Sequence, residues 1–334
     1  MKNFLLFFVG FLFVMSSTSA QKVTDVQHVA YTVSDTDLAV NFLTKTVGAK
    51  LDRTTTISGD ALQKLFGIQD DQLSLKVSYV KIGNESVQLL EFDSKMQGKI
   101  IPQDSRSNDL WFQHIAIVVK NMNKAYEHAY KNKIEHVSTF PQVLPDYIPA
   151  AAGIAAFYFR DRDDHNLELI YFPEGKGNPK WRKSTEPLFL GIDHTAIGIA
   201  DTDKSLAFYR DALGLKVAGN SENFGTEQEH LNQVFGARLL ITGLHAEKGF
   251  GVEFLQYIAP PGGRTYPSDS TPLDHWYWHT GMEVDNIEEV HKKIQNNNYK
   301  TVSSGIQSLP KLGYKKALVV RDPDGHAILL FEKF

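Results

Sequence analysis

Four histidines open four near-copies of one short segment, and they are the first residues here whose type and spacing could do chemistry. The segments are Gln27-His28-Val29-Ala30-Tyr31-Thr32-Val33, Gln113-His114-Ile115-Ala116-Ile117-Val118-Val119, Asp193-His194-Thr195-Ala196-Ile197-Gly198-Ile199 and Trp278-His279-Thr280-Gly281-Met282-Glu283-Val284. Neutral imidazole binds first-row divalent metals and accepts protons near neutral pH. A small residue follows each His by two positions: Ala30, Ala116, Ala196 and Gly281. Residues two apart share a face of a strand. Each segment therefore reads as a strand with an imidazole and open space on its front. The intervening positions are mostly apolar, as in Ile115, Ile117 and Val119, and suit a packed back.

The spacing of the histidines reveals a repeat within a repeat. His28 and His114 are 86 residues apart, and His194 and His279 are 85 apart. The chain therefore reads as two similar halves of two modules each. After the His strand comes an amphipathic helix, clearest from Asp201 to Leu215, with an Asp or Thr cap, apolar residues at Leu206, Tyr209 and Leu213, and Gly214 at its end. Ser34 to Gly48, Asn123 to Asn132 and Ile287 to Asn297 are its counterparts. Strand-like segments follow, with Asp322-Pro323-Asp324-Gly325 as a tight turn between two of them and 161–164 in the same place in module two. Modules one and three each carry a helical insertion, at 59–67 and 226–236. The unit is strand, helix and about three strands. Domain boundaries fall at 21–172 and 189–334, with a linker at 173–188 whose stretch from Pro173 to Pro187 is rich in Gly, Pro, Lys and Glu.

Composition narrows the function classes. At 334 residues with 42% hydrophobic and 22% charged, the chain is long enough for two ordinary globular domains. A net charge of −4 offers no basic surface for nucleic acid. Without cysteine there are no disulfides, thiolate metal sites or Cys nucleophiles. Lys2, the apolar run from Phe4 to Met15 and the small residues through Ala20 read as a cleavable secretory signal over 1–20. That run is short for a membrane span. The expectation is a secreted or periplasmic protein with no stable membrane span after cleavage, working as a monomer or homodimer on a small molecule.

Four tandem βαβββ units, each opening on a His strand, resemble the vicinal oxygen chelate superfamily of glyoxalase I, extradiol dioxygenases, fosfomycin-resistance enzymes and bleomycin-binding proteins. The best local matches are Phe208-Tyr209 with Leu213-Gly214-Leu215, and Asp322-Pro323-Asp324-Gly325-His326. The resemblance implies an α+β fold: four tandem βαβββ modules forming two glyoxalase/dioxygenase-like domains with curved mixed sheets around a groove. It places metal ligands on the first and last strands of each module. The last-strand positions are then Gln88, Glu168, Glu253 and Leu329. Taken by halves, the ligand sets are His28, Gln88, His114 and Glu168 in the first, and His194, Glu253 and His279, with Leu329 in the fourth place, in the second. If one half alone holds metal, the second is favoured, because small neighbours leave room around Glu253. Glu91 and Glu332 lie three residues past the aligned positions, and an odd offset turns them to the opposite face.

The resemblance implies a divalent metal (Zn, Ni, Mn or Fe(II)) that stabilises developing negative charge on a substrate with adjacent oxygens. Glu253 or Glu168 is then the candidate catalytic base. Three activities follow in order: a lyase or isomerase of glyoxalase type, an extradiol-type dioxygenase, and a non-catalytic ligand-binding protein. A glutathione-dependent role outside the cytoplasm is disfavoured. His165 and His326 read as turn-holding residues, His230 as exposed, and Trp276-Tyr277-Trp278 as core or groove wall. Gly262-Gly263-Arg264 reads as a turn whose Arg could meet an anion.

Overall fold

The computed structural model describes residues 22–182, 187–261 and 263–334. The expected signal at 1–20 and Gly262 lie outside these residues. Each module opens on the expected strand: Val23–Thr32, Gln113–Val119, Phe189–Ile199 and Trp278–Val284. The helices that follow are Thr36–Val47, Met122–Lys131, Thr202–Leu206 and Ile287–Asn296, the third continuing as a π-helix over Ala207–Ala212. One device starts all four. Asp35, Asn121, Asp201 and Asn286 are extended, and each side chain accepts a hydrogen bond from the amide three residues on. That satisfies a donor the helix start would otherwise leave unpaired.

The strands build two curved mixed sheets, and each sheet takes one module from each half of the chain. Modules one and four form one sheet; modules two and three form the other. Two opening strands pair antiparallel at the centre of each sheet. Every opening strand is flanked by the parallel closing strand of its own module: Glu85–Asp93, Asn166–Tyr171, Gly251–Ala259 or Ala327–Lys333. This corrects the ligand grouping by halves, because contiguity in sequence does not decide which opening strands pair. Steric fit contributes to that choice. The ring of His28 fills the volume that a Cβ at Gly281 would need, so these two positions belong together across the strand pair.

The apolar backs of both sheets and the helices on them merge into one core. Val29 and Tyr31, Ile115 and Ile117, Ile197 and Ile199, and Met282 and Val284 meet helix residues such as Leu43, Ala125, Phe208 and Val290 there. His165 and His326 do more than hold their turns. Asp161 accepts from the backbone of His165, and Asp322 from that of His326. The Nε2 of His165 bonds the carbonyl of His275 at 2.7 Å, and that of His326 bonds Gly198 at 2.8 Å. Each bond ties one sheet to the other.

Candidate metal centre

The register of the central strands decides which ligand positions meet. His194 lies opposite Ala116, and His114 opposite Ala196. On the flanks, Glu168 is beside Ala116 and Glu253 beside Ala196. Two adjacent rows of one sheet face therefore carry His194–Ala116–Glu168 and His114–Ala196–Glu253. The alanines clear the middle, and the four functional side chains converge over it. The small residue in each repeat thus makes room for the imidazole of the partner strand.

The distances are those of a cluster ready to share one cation. Nε2 of His114 is 3.1 Å from Oε2 of Glu168. Nε2 of His194 is 3.6 Å from that same oxygen and 3.5 Å from Oε2 of Glu253. Among the described residues, His114, Glu168 and His194 form a group whose ligand atoms all lie within 4.8 Å of one another. All three are buried, while the Glu253 side chain is 26% exposed. Neither Nε2 makes a hydrogen bond, although both are out of reach of solvent. Buried polar atoms are normally satisfied, so two orphaned imidazole nitrogens aimed between two carboxylates fit a divalent cation. Burial alone would lower the basicity of His194. Glu253, Asp193 and Glu168 outweigh it and push its pKa up to about 10. Burial raises that of Glu253.

Asp193 is a residue that sequence reasoning did not assign. The pairing slips by one residue between Ile192 and His194, leaving Asp193 as the extra residue of a β-bulge. Its Oδ2 lies 3.1 Å from Nδ1 of His194, and its Oδ1 accepts from Nε1 of Trp181 at 2.7 Å. A carboxylate on Nδ1 holds the proton there and leaves Nε2 of the neutral ring as the ligand atom. The visible signal was an acidic residue directly before one His of the four.

The matched positions of the other sheet have a different outcome. His28 lies opposite Gly281, His279 opposite Ala30, with Gln88 beside Ala30 and Leu329 beside Gly281. Gln88 donates to the Tyr314 hydroxyl at 3.3 Å, which lies 3.3 Å from Nε2 of His28. His28 and His279 sit edge to face, 5.8 Å between ring centroids. Burial, with a smaller contribution from Lys333, pushes the pKa of His28 down to about 3, and burial with His28 beside it keeps His279 neutral as well. Leu329, Phe331, Leu65 and Phe66 fill the face around them. The seven candidate ligands thus separate into His114, Glu168, His194 and Glu253 on one sheet, and His28, Gln88 and His279 on the other. The preference for the second half, which held only if one half alone binds metal, does not apply to this arrangement: Glu253 and His194 meet His114 and Glu168 of the first half.

The remaining candidates fall outside the centre. Glu91 and Glu332 face away and accept from the first helical amides, Thr36 and Ile287, at 2.8 Å each. His230 is exposed. Arg264 is committed to carboxylates, with Asp109 at 2.7 Å and Asp104 at 3.0 Å.

A cavity of about 350 Å³ opens over the cluster, lined by Glu168, His194 and Glu253 together with Tyr158, Asn223 and Gln228. Tyr158 packs against His114, 4.9 Å between ring centroids. Burial and the nearby Glu168 hold its hydroxyl protonated.

Comparison with known proteins agrees with this architecture. The family model described as Glyoxalase/Bleomycin resistance protein/Dioxygenase superfamily matches residues 25–169 and 191–330. Over 153 residues the chain is 30% identical to a 2-epi-5-epi-valiolone epimerase from Actinomyces sp, covering 45% of this chain and 80% of that protein. It is 29% identical over 141 residues to a lactoylglutathione lyase from Salmonella typhimurium, covering 42% and 90%. In fold it resembles glyoxalase I from Zea mays, with a TM-score of 0.59 at 17% identity over 94% of this chain and 92% of that one. The matched model spans all four modules, and the chain belongs to the Glyoxalase/Bleomycin resistance protein/Dioxygenase superfamily.

Proposed function

We propose that the chain is a metal-dependent enzyme with one working centre, His114, Glu168, His194 and Glu253, which moves a proton on a small carbonyl substrate. The observation that carries this reading is the convergence of two orphaned imidazole nitrogens and two carboxylates over Ala116 and Ala196. Two imidazoles and two carboxylates suit Zn, Ni, Mn or Fe(II). Such a cation, when bound, acts as a Lewis acid on a carbonyl and the oxygen beside it.

The protein supplies the rest. His114, Glu168 and His194 are buried on rigid strands and hold the centre, with Asp193 orienting His194. Glu253 is the more exposed carboxylate and faces the cavity, so it is the base. It takes the proton from the carbon next to the carbonyl. It returns that proton to the neighbouring carbon, for an isomerisation; for an epimerisation it keeps that proton while a solvent proton enters from the opposite face. No redox partner is needed for either.

A second reading has its own support. His114, His194 and Glu168 form a two-His, one-carboxylate set, which with Fe(II) suits O2 chemistry on a catechol. The fourth donor, Glu253, favours the first reading. The apolar stretch and small residues before Gln21 support action outside the cytoplasm. One chain supplies every ligand, so a monomer would suffice.

Metal analysis of purified protein tests the centre. About one metal per chain is expected, absent in His114→Ala and His194→Ala and retained in Gln88→Ala. Incorporation of deuterium from D2O into a bound α-hydroxyketone, with no O2 consumed, supports proton transfer. O2 uptake with catechol would replace it with the dioxygenase. Metal-free protein that cannot be loaded would leave a ligand-binding protein.

A further inference from the structure

Because both sheets follow one plan, each concave face has a counterpart position by position. Cross-strand pairing aligns the row Ile57–Leu75–Phe92 of one with Asn223–Leu239–Tyr257 of the other. The inserted helices Asp60–Phe66 and Thr226–Asn232 both follow a glycine with positive φ, Gly59 and Gly225. Gln228 then stands where Leu62 does, and Asn232 where Phe66 does. Four apolar positions on the first sheet are thus polar on the second.

These four form one chain of hydrogen bonds. Ser221 donates to Asn223 at 2.9 Å, Asn223 to Gln228 at 3.0 Å, and Gln228 to Asn232 at 2.7 Å; Asn232 donates to the hydroxyl of Tyr257. Asn223, Gln228 and Asn232 are each at most 4% exposed. Burying three amides is costly unless all are satisfied, and the same fold has an apolar solution at these positions. Each primary amide has two N–H groups, and the chain uses one of each. Asn223 and Gln228 also line the cavity over the metal centre, on whose wall stand Glu168, His194 and Glu253. Among the described residues, no Lys or Arg lines that cavity; Lys180 and Lys248 line an adjoining cleft that shares His194 and Glu253 with it. Lys180 is paired with Glu85 at 2.8 Å.

We propose that this cavity takes a neutral, hydroxyl-rich carbonyl compound, whose hydroxyls are read by Asn223 and Gln228 while its carbonyl end meets the His and Glu cluster. This rests on the metal-centre reading above. Hydroxyls donate and accept, as amides do, so the two match without ionic groups. A carboxylate or phosphate held beside Asn223 and Gln228, away from the metal, would lose its hydration with no Lys or Arg of the described residues lining the cavity to compensate. The site therefore selects against charged conjugates.

Titration calorimetry on the metal-loaded full chain tests the proposal. The probes are myo-2-inosose, a neutral cyclic polyhydroxy ketone, and S-lactoylglutathione, which carries carboxylates. Binding of myo-2-inosose is expected at least tenfold tighter than that of S-lactoylglutathione. Asn223→Ile and Gln228→Leu install the side chains that the other sheet tolerates, so both variants are expected to fold and to keep one metal per chain. Each should weaken myo-2-inosose by tenfold or more. Tighter binding of S-lactoylglutathione, no binding of myo-2-inosose, or unchanged affinity in both variants would overturn the proposal. The wild-type comparison stands even if a variant does not fold. Metal content is read separately, so loss of the centre is distinguishable from loss of the selectivity.

Discussion

The imidazole of His194 stands directly across the central strand pair from Ala116, and that alanine is fully buried. The relationship makes the small residue part of the metal centre although it offers no ligand atom. Ala116→Leu keeps all four ligands and fills the space over which they converge. Metal affinity is expected to fall at least tenfold, with an overpacking cost of about 1–3 kcal/mol. Metal titration and urea unfolding separate the two effects; unchanged affinity would mean that the cation sits elsewhere. Gly281→Ala is the matching change on the other sheet. Its Cβ would meet the ring of His28, so stability should fall while metal content stays unchanged.

Asp193 gives a prediction about orientation. It touches His194 through Nδ1, on the far side of the ring from the ligand nitrogen. Asp193→Asn preserves the shape and removes the charge. Outer partners of this kind are worth roughly 10–100-fold in metal affinity, and that range is expected here. Retention of wild-type affinity would reduce Asp193 to a partner of Trp181.

Much of this centre was legible because duplication repeats its positions. The four histidines, their small companions and the two carboxylates can all be aligned from the sequence. Glu91 and Glu332 can be set aside by strand parity, and both do turn to the helix side. What could not be read was the pairing. The chain runs from one sheet into the other for modules two and three and returns for module four, so His114 meets His194 rather than His28. Adjacent modules look like natural partners in sequence, but the contact between Gly281 and His28 exists only in three dimensions. Asp193 was missed for a related reason: a bulge re-aims it, and a bulge leaves no periodicity to read. Asn223 and Gln228 were ordinary polar residues until Ile57 and Leu62 were found in the matching places.

The histidines also set opposite pH dependences. Without metal, His194 titrates near 10 in the folded chain against about 6.5 unfolded. Its raised value contributes stability that is full below pH 6.5 and lost as pH climbs towards 10. His28 is depressed to about 3, so stability falls as pH drops from about 6.5 towards 3, where only the unfolded chain takes up the proton. A bound cation must displace the proton on His194, so metal binding should release a proton near neutrality and weaken in acid. Thermal unfolding of metal-free protein across this range checks the first two signs, and calorimetry in buffers of different ionisation enthalpy checks the third. Metal binding without proton release would show that His194 is not the ligand.

Access to the centre depends on two glycines. Gly219 and Gly243 pair across from each other, and Gly243 pairs with Glu253. On the other sheet the same row is Arg53, Tyr79 and Gln88, with the guanidinium of Arg53 3.7 Å from the ring centre of Tyr79. A large pair thus covers the ligand position on one sheet, and the other leaves it open. A Cβ at Gly219 would meet nothing within 4 Å, and one at Gly243 would come no closer than 3.9 Å to a neighbour. Neither glycine has positive φ, so the backbone tolerates a side chain at both. Gly243→Tyr should therefore fold, retain one metal per chain and reproduce the cover that Tyr79 provides. Ligand affinity should fall more than tenfold, and removal of the metal by a chelator should slow severalfold. Loss of the metal itself would mean that Gly243 shapes the ligand sphere. Unchanged ligand binding would mean that the entrance does not pass Gly243.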